Sequence, residues 1–151
     1  MTNVAIIGSG NNKFNQFTRS RAFKIIRRIL ADHPGATIVS GHSPVGGIDI
    51  WAEEMARNLK YKTMIFTPEQ HEWDAPYGFK ARNMDIARNS DIIYVIVVRE
   101  YPPGYRGRIF KLCYHCENYS DHDYKDHIKS GACWTGWRGV EMGKDVRWIV
   151  I

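Results

Sequence analysis

No apolar run in this 151-residue sequence approaches the roughly 20 residues that cross a bilayer. No basic leader precedes the first apolar run, Val4-Ala5-Ile6-Ile7-Gly8, so the N-terminus reads as a strand rather than a signal peptide. The expected location is therefore the cytoplasm, or the host cytoplasm for a viral chain, with no membrane partner. Internal repeats and low-complexity tracts are missing. Cysteine is scarce, with three residues in all. What remains is globular composition: 44% hydrophobic and 25% charged residues fit one domain over 1–151, with one core and room for a small insertion. A net charge of +5 weakly favours anionic partners.

The apolar segments alternate between two periods. Val4–Gly8, Thr37–Ser40 and Thr63–Phe66 are short apolar runs that read as strands. Asp91–Val98 is the longest such run, and its continuous apolar character suits a central parallel strand buried on both faces. Val146–Ile151 reads as the last strand. Between them lie helical patterns over 19–31, capped by Thr18, and over 48–59, 79–89 and 134–143. This alternation predicts an α/β, Rossmann-like, doubly wound and mainly parallel five-stranded sheet. Residues 99–133 break the rhythm and predict an inserted loop rich in cysteine and histidine.

Ligands of open α/β sheets sit beyond the carboxyl ends of the strands, at helix N-termini. Three stretches are candidates. Gly8-Ser9-Gly10 follows the first strand, but the third glycine of the dinucleotide fingerprint is missing. Ser40-Gly41-His42-Ser43-Pro44-Val45-Gly46-Gly47-Ile48-Asp49 follows the second. There Gly41, His42, Gly46 and Gly47 are candidate ligand contacts, and Asp49 can accept from a sugar hydroxyl or stabilise the helix start. Ser130, Gly131 and Thr135 offer amides and a hydroxyl at the last helix. Arg82 and Asn83 lie between, and by pattern alone Arg82 reads as a solvated helix charge.

Taken in order, these motifs resemble the SLOG superfamily, Rossmann-like proteins that include the DNA-processing protein A fold and the "lonely guy" phosphoribohydrolases. Small stand-alone bacterial or phage members are the nearest in pattern. Ser40-Gly41 to Ala56 is similar to their Gly-Gly-x-x-Gly-x-Asp loop and the helix after it. Arg82-Asn83 to Ser90-Asp91 is similar to their arginine-bearing helix, and Ser130 to Thr135 to their Pro-Gly-Gly-x-Gly-Thr loop. The resemblance covers most of the chain except 99–128, and each motif is short. It implies binding of a nucleotide or nucleotide-derived ligand across these loops. The family's hydrolases place a glutamate three residues after the loop threonine, where this chain has Arg138. An arginine cannot activate water, so hydrolysis would need Asp49, Glu141 or another acid instead.

Cys113-Tyr114-His115-Cys116 has the Cys-x2-Cys spacing of a zinc knuckle. Adding His127 and Cys133 predicts a closed Cys3His structural zinc site; His122 with His127 would give Cys2His2 instead. A Cys113–Cys116 disulfide is disfavoured by strain and by a reducing cytosol.

Three functions compete on this sequence: a nucleotide-ligand sensor or sequestering module, an enzyme that cleaves an N-glycosidic bond or modifies a nucleotide, and a nucleic-acid-binding module. The last would use Arg19, Arg21, Lys24, Arg27 and Arg28 with Tyr101, Tyr105, Arg106, Arg108 and Tyr114. The basic positions alternate with core positions, which favours a solvated helix face. Self-association into a homo-oligomer is left open.

Overall fold

The structure, a computed structural model, describes residues 2–106 and 130–151. It contains five strands, β1 (Asn3–Gly8), β2 (Thr37–Ser40), β3 (Lys62–Ile65), β4 (Ile92–Val97) and β5 (Asp145–Val150). The helices are α1 (Gln16–Asp32), α2 (Ile48–Asn58), α3 (Phe79–Asn89) and α4 (Gly131–Glu141), with a 3-10 turn over Asn11–Lys13. All strand pairs are parallel, in the order β3-β2-β1-β4-β5. The expected α/β, Rossmann-like sheet is present. No described helix is long and apolar enough to cross a membrane.

Period-two alternation divides the strands between two cores. Val4 and Ile6 of β1, Ile38 of β2, and Tyr94 and Ile96 of β4 face α1 and α2, packing with Ile26, Leu30, Ile48 and Trp51. Ala5 and Ile7, Val39, and Ile93, Val95 and Val97 face the other way, toward Ile86 and Ala87 of α3 and Ala132 of α4. A strand with helices on both sides has no polar face. The unbroken apolar run Ile93–Val98 is accordingly buried along its whole length.

Two helix starts differ from the sequence reading, and three helix ends shift by one or two residues. Helix α1 begins before residue 19 because Asn15, not Thr18, is its cap. The Asn15 Oδ1 accepts from the amides of Phe17 and Thr18, each at 2.9 Å, and Thr18 Oγ1 accepts from the Asn15 amide at 2.9 Å. Thr18 is thus the return partner of a capping box. Helix α4 begins at Gly131 rather than 134, because Ser130 Oγ accepts from the Cys133 amide at 3.1 Å. Residues 131–133, expected in the loop, form its first turn.

The basic positions Arg19, Arg21, Lys24, Arg27 and Arg28 of α1 are all exposed, as expected of a solvated face. Arg19 lies over the rings of Phe23 and Trp51, at 5.3 and 5.4 Å from their centroids.

Helix α4 rides close on the sheet. A Cβ added at Gly136 would lie 2.6 Å from Trp148, and one at Gly139 would lie 2.6 Å from Ile93. These two glycines set how near the middle of α4 comes to the side chains of β4 and β5.

Candidate functional site

The order β2-β1-β4 places a chain reversal beside β1, where crossovers leave to opposite faces and open a crevice at the carboxyl ends. A cleft of about 360 Å³ occupies that position. It is lined by the turn after β1, the loop between β2 and α2, the segment leading into α3, and the start of α4. Four segments far apart in sequence therefore meet at one place.

The turn after β1 is fixed by its contacts with β4. Gly8 pairs in register with Ile96, and a Cβ there would lie 1.9 Å from the Ile96 carbonyl oxygen. Only glycine lets β1 approach β4 this closely. The Ser9 amide donates to the same carbonyl at 3.0 Å, while Ser9 Oγ accepts from the Val98 amide at 3.1 Å. Gly8, Ser9 and Gly10 all line the cleft.

Asp49 and Arg82 form its polar floor. Asp49 is 6% exposed, and its carboxylate accepts from the backbone amides of Gly8 and Ser43. Burial raises its pKa above the ordinary carboxylate value, although the nearby Arg82 charge and the two amides oppose that rise. Burial likewise lowers the pKa of Arg82, with Asp49 opposing. Arg82 is no solvated helix charge: its Nη1 donates to the Gly41 carbonyl and its Nε to Asn83 Oδ1 at 2.8 Å. A Cβ on Gly41 would lie 2.6 Å from Arg82 Nη1 and 2.9 Å from Asp49 Oδ2. Gly41 thus clears the space in which the pair sits, though it does not line the cleft itself.

The rest of the second loop serves its own docking. Gly46 and Gly47 adopt φ of +73° and +86°. A Cβ on Gly47 would lie 2.3 Å from the Ser9 carbonyl oxygen, so glycine lets this loop pack on the β1 turn. The Ile48 amide donates to Ser9 O at 3.1 Å, and the Asn11 amide to Val45 O at 3.3 Å. His42, with φ of +47°, turns to Glu53, its Nδ1 lying 3.0 and 3.1 Å from the two carboxylate oxygens. Glu53 is 1% exposed and also takes Arg57 Nη2 at 2.9 Å. Gly46, Gly47 and His42 are therefore next to the cleft but outside its lining, while Ser43, Pro44 and Val45 line it.

Ser130, Gly131 and Thr135 line the far wall. Thr135 Oγ1 donates to the Gly131 carbonyl at 2.9 Å. The amides of Gly131 and Ala132 lie in the first turn, where no carbonyl of the same helix can accept them. Trp73 meets Trp134 edge-on at 5.1 Å between centroids, and Phe79 stacks on His71 at 5.7 Å. Lys13, His71, Trp73 and Phe79 were not singled out as site residues from sequence, yet all line the cleft. The available signals were a lysine three residues past Gly10 and a lone tryptophan in a polar loop.

Arg138 and Glu141 are outside the lining; they pair with each other at 3.1 Å, and Arg138 lies over the Trp134 ring at 5.1 Å. Of the four zinc candidates, Cys113, Cys116 and His127 lie outside the described residues, as does His122. Cys133 is fully buried and packs against Trp148. Among the described residues no cluster of three or more metal-ligating side chains occurs.

Comparison of the chain with protein-family models, with curated proteins and with solved structures finds no match in any of the three.

Proposed function

We propose that this protein binds a nucleotide or nucleotide-derived ligand in the cleft, acting as a sensor or sequestering module of the SLOG type. One observation carries the reading: the three segments that resemble SLOG motifs, two loops and the arginine-bearing helix, each contribute lining residues to a single cleft at the switch point of the sheet. Its composition supports it. Ile7, Trp73, Phe79 and Ile86 offer an apolar and aromatic wall for a flat ring, and the first-turn amides of α4 face the same space.

Binding is favoured over hydrolysis by the state of Asp49. Among the described residues it is the one carboxylate of the lining, and two backbone amides already donate to it under the influence of the nearby Arg82 charge. Glu141, the other acid considered for that role, is spent on Arg138. The zinc site of Cys113, Cys116, His127 and Cys133 remains part of the proposal on the strength of its spacing.

The test is a thermal-shift panel of AMP, ADP-ribose, NAD and cyclic nucleotides at millimolar concentration. A ligand at 100 times its Kd adds about 2.7 kcal/mol, which for a chain this size raises Tm by roughly 5–10 °C. Arg82→Met should abolish the shift. No shift with any compound would overturn the reading, and release of free base in the same samples would replace binding with hydrolysis.

A further inference from the structure

Beyond the nucleotide cleft, the described surface holds two neighbouring concavities of about 560 and 550 Å³. Both are lined by Asn12 and Phe14, so they form one continuous groove. Arg19 and Phe23 of α1 line one end, and Pro102, Pro103, Tyr105 and Arg106 line the other.

The backbone builds both ends. Arg19 and Phe23 are four residues apart on α1 and so share a face of that helix, which Asn15 caps. At the other end the Tyr105 amide donates to the Pro102 carbonyl at 3.1 Å, with Gly104 at φ of +81°. Proline followed by a left-handed glycine suits the two central positions of such a turn. It delivers Tyr105 and Arg106 together to the groove.

The lining is of one chemical kind. Two arginines and three aromatic rings, Phe14, Phe23 and Tyr105, contribute to it, and no acidic side chain does. Arg19 and Arg106 are exposed, and neither has a carboxylate partner among the described residues. The Arg19 guanidinium lies over the Phe23 ring at 5.3 Å, so cation and ring present themselves as a unit. Phe14 and Phe23 are braced by Trp51 at 4.8 and 5.0 Å, and Tyr105 by Tyr101 at 4.6 Å. Arg21, Lys24 and Arg27 carry the positive charge onward along the exposed face of α1. Cations alone would suit any polyanion. Held rings between cations suit one whose charges alternate with flat groups.

We propose that this groove binds single-stranded nucleic acid, with Arg19 and Arg106 on phosphates and the Tyr105 ring against a base. The site is separate from the nucleotide cleft and does not depend on what the cleft holds.

Fluorescence anisotropy with labelled oligo-dT and oligo-rU of about 16 nucleotides tests it, beside a duplex of the same length and polyglutamate. Wild type should bind one or both strands, and the tighter one tells whether DNA or RNA is the natural source. The salt slope should shrink by about 0.7 in Arg19→Gln, by about 0.7 in Arg106→Gln and by about 1.4 in the double variant. Tyr105→Ala should weaken strand binding about tenfold, the effect of one stacked base. Arg28→Gln removes a charge already paired with Asp32 outside the groove, so it should change binding by less than about twofold. Failure of both strands to bind at low salt overturns the proposal, as does binding that the double arginine variant leaves intact. Duplex bound as tightly as the strands overturns it in favour of a general polyanion patch, and polyglutamate bound as tightly overturns it in favour of an acidic-peptide site. The groove variants should leave the nucleotide thermal-shift panel unchanged, so loss of strand binding with that panel intact spares the cleft reading.

Discussion

Gly41→Ala is the substitution that best tests whether the Asp49–Arg82 floor is built as described. Gly41 does not require a left-handed backbone, so alanine brings no conformational strain; the effect comes from the added methyl group. Built on the backbone, its Cβ sits 2.6 Å from Arg82 Nη1 and 2.9 Å from Asp49 Oδ2, where ordinary contact begins at 3.4 Å. Arg82 is the longer and more flexible partner, so it gives way, and its bond to the Gly41 carbonyl is lost. A buried hydrogen bond from a charged donor is worth about 1.5–3 kcal/mol, and the displaced packing adds about 1. Reduced freedom of the unfolded chain returns about 0.4–1. The net expectation is a loss of about 1.5–3.5 kcal/mol, or roughly 3–14 °C in Tm for a chain of this length. Urea unfolding of four proteins measures it: wild type, Gly41→Ala, Arg82→Met and the double variant. If the cost runs through Arg82, Gly41→Ala should cost under about 1 kcal/mol in the Arg82→Met background. Gly35→Ala is the control, since no atom lies within 4 Å of its Cβ and its φ of +78° leaves strain alone, about 1–2 kcal/mol. Equal cost of Gly41→Ala in both backgrounds would refute the reasoning.

Two further outcomes are expected. Asp49 has its folded pKa raised above the ordinary value, so its titration contributes stability that is full below the unfolded pKa and lost as pH rises through the folded one. The stability gap between wild type and Asp49→Asn should therefore narrow as pH rises from about 4 to 7; a gap that widens over that range contradicts burial as the dominant cause. The zinc proposal predicts about one zinc per chain in protein purified without chelator, reduced by Cys113→Ser, with elemental analysis as the measurement. A metal-free wild-type protein would sink it.

Much of the architecture was legible because the physics was local and periodic. Asp91–Val98 carries no charged side chain after Asp91 and no polar group but the Tyr94 hydroxyl, and a strand covered on both faces suits such a run. Helix starts were less legible. Thr18 and Asn15 are both good caps, and choosing between them needs the reciprocal geometry of the capping box. The glycine loops show a deeper limit. Gly46 and Gly47 look the same in sequence whether glycine admits a phosphate or another stretch of backbone, and here it admits the Ser9–Gly10 turn. Arg82 read as a solvated charge because its helix pattern is weak; its partners, Gly41 and Asp49, come from a loop and helix more than 30 residues away. Lys13 and Trp73 reach the cleft from segments without periodicity, which pattern reading cannot place.

The cleft's position on the seam of the sheet has a consequence for how the molecule comes apart. Lys13 and Asp49 belong to the half built from β1, β2 and their helices, whereas Phe79, Arg82, Asn83 and Thr135 belong to the half that carries α3 and α4. An occupant touching both sides acts as a rivet between two βαβ halves that already share the β1–β4 strand pair and an apolar core on each face of the sheet. Its binding energy then opposes every partial opening that parts the halves, so the filled protein should unfold as one unit rather than lose either half first.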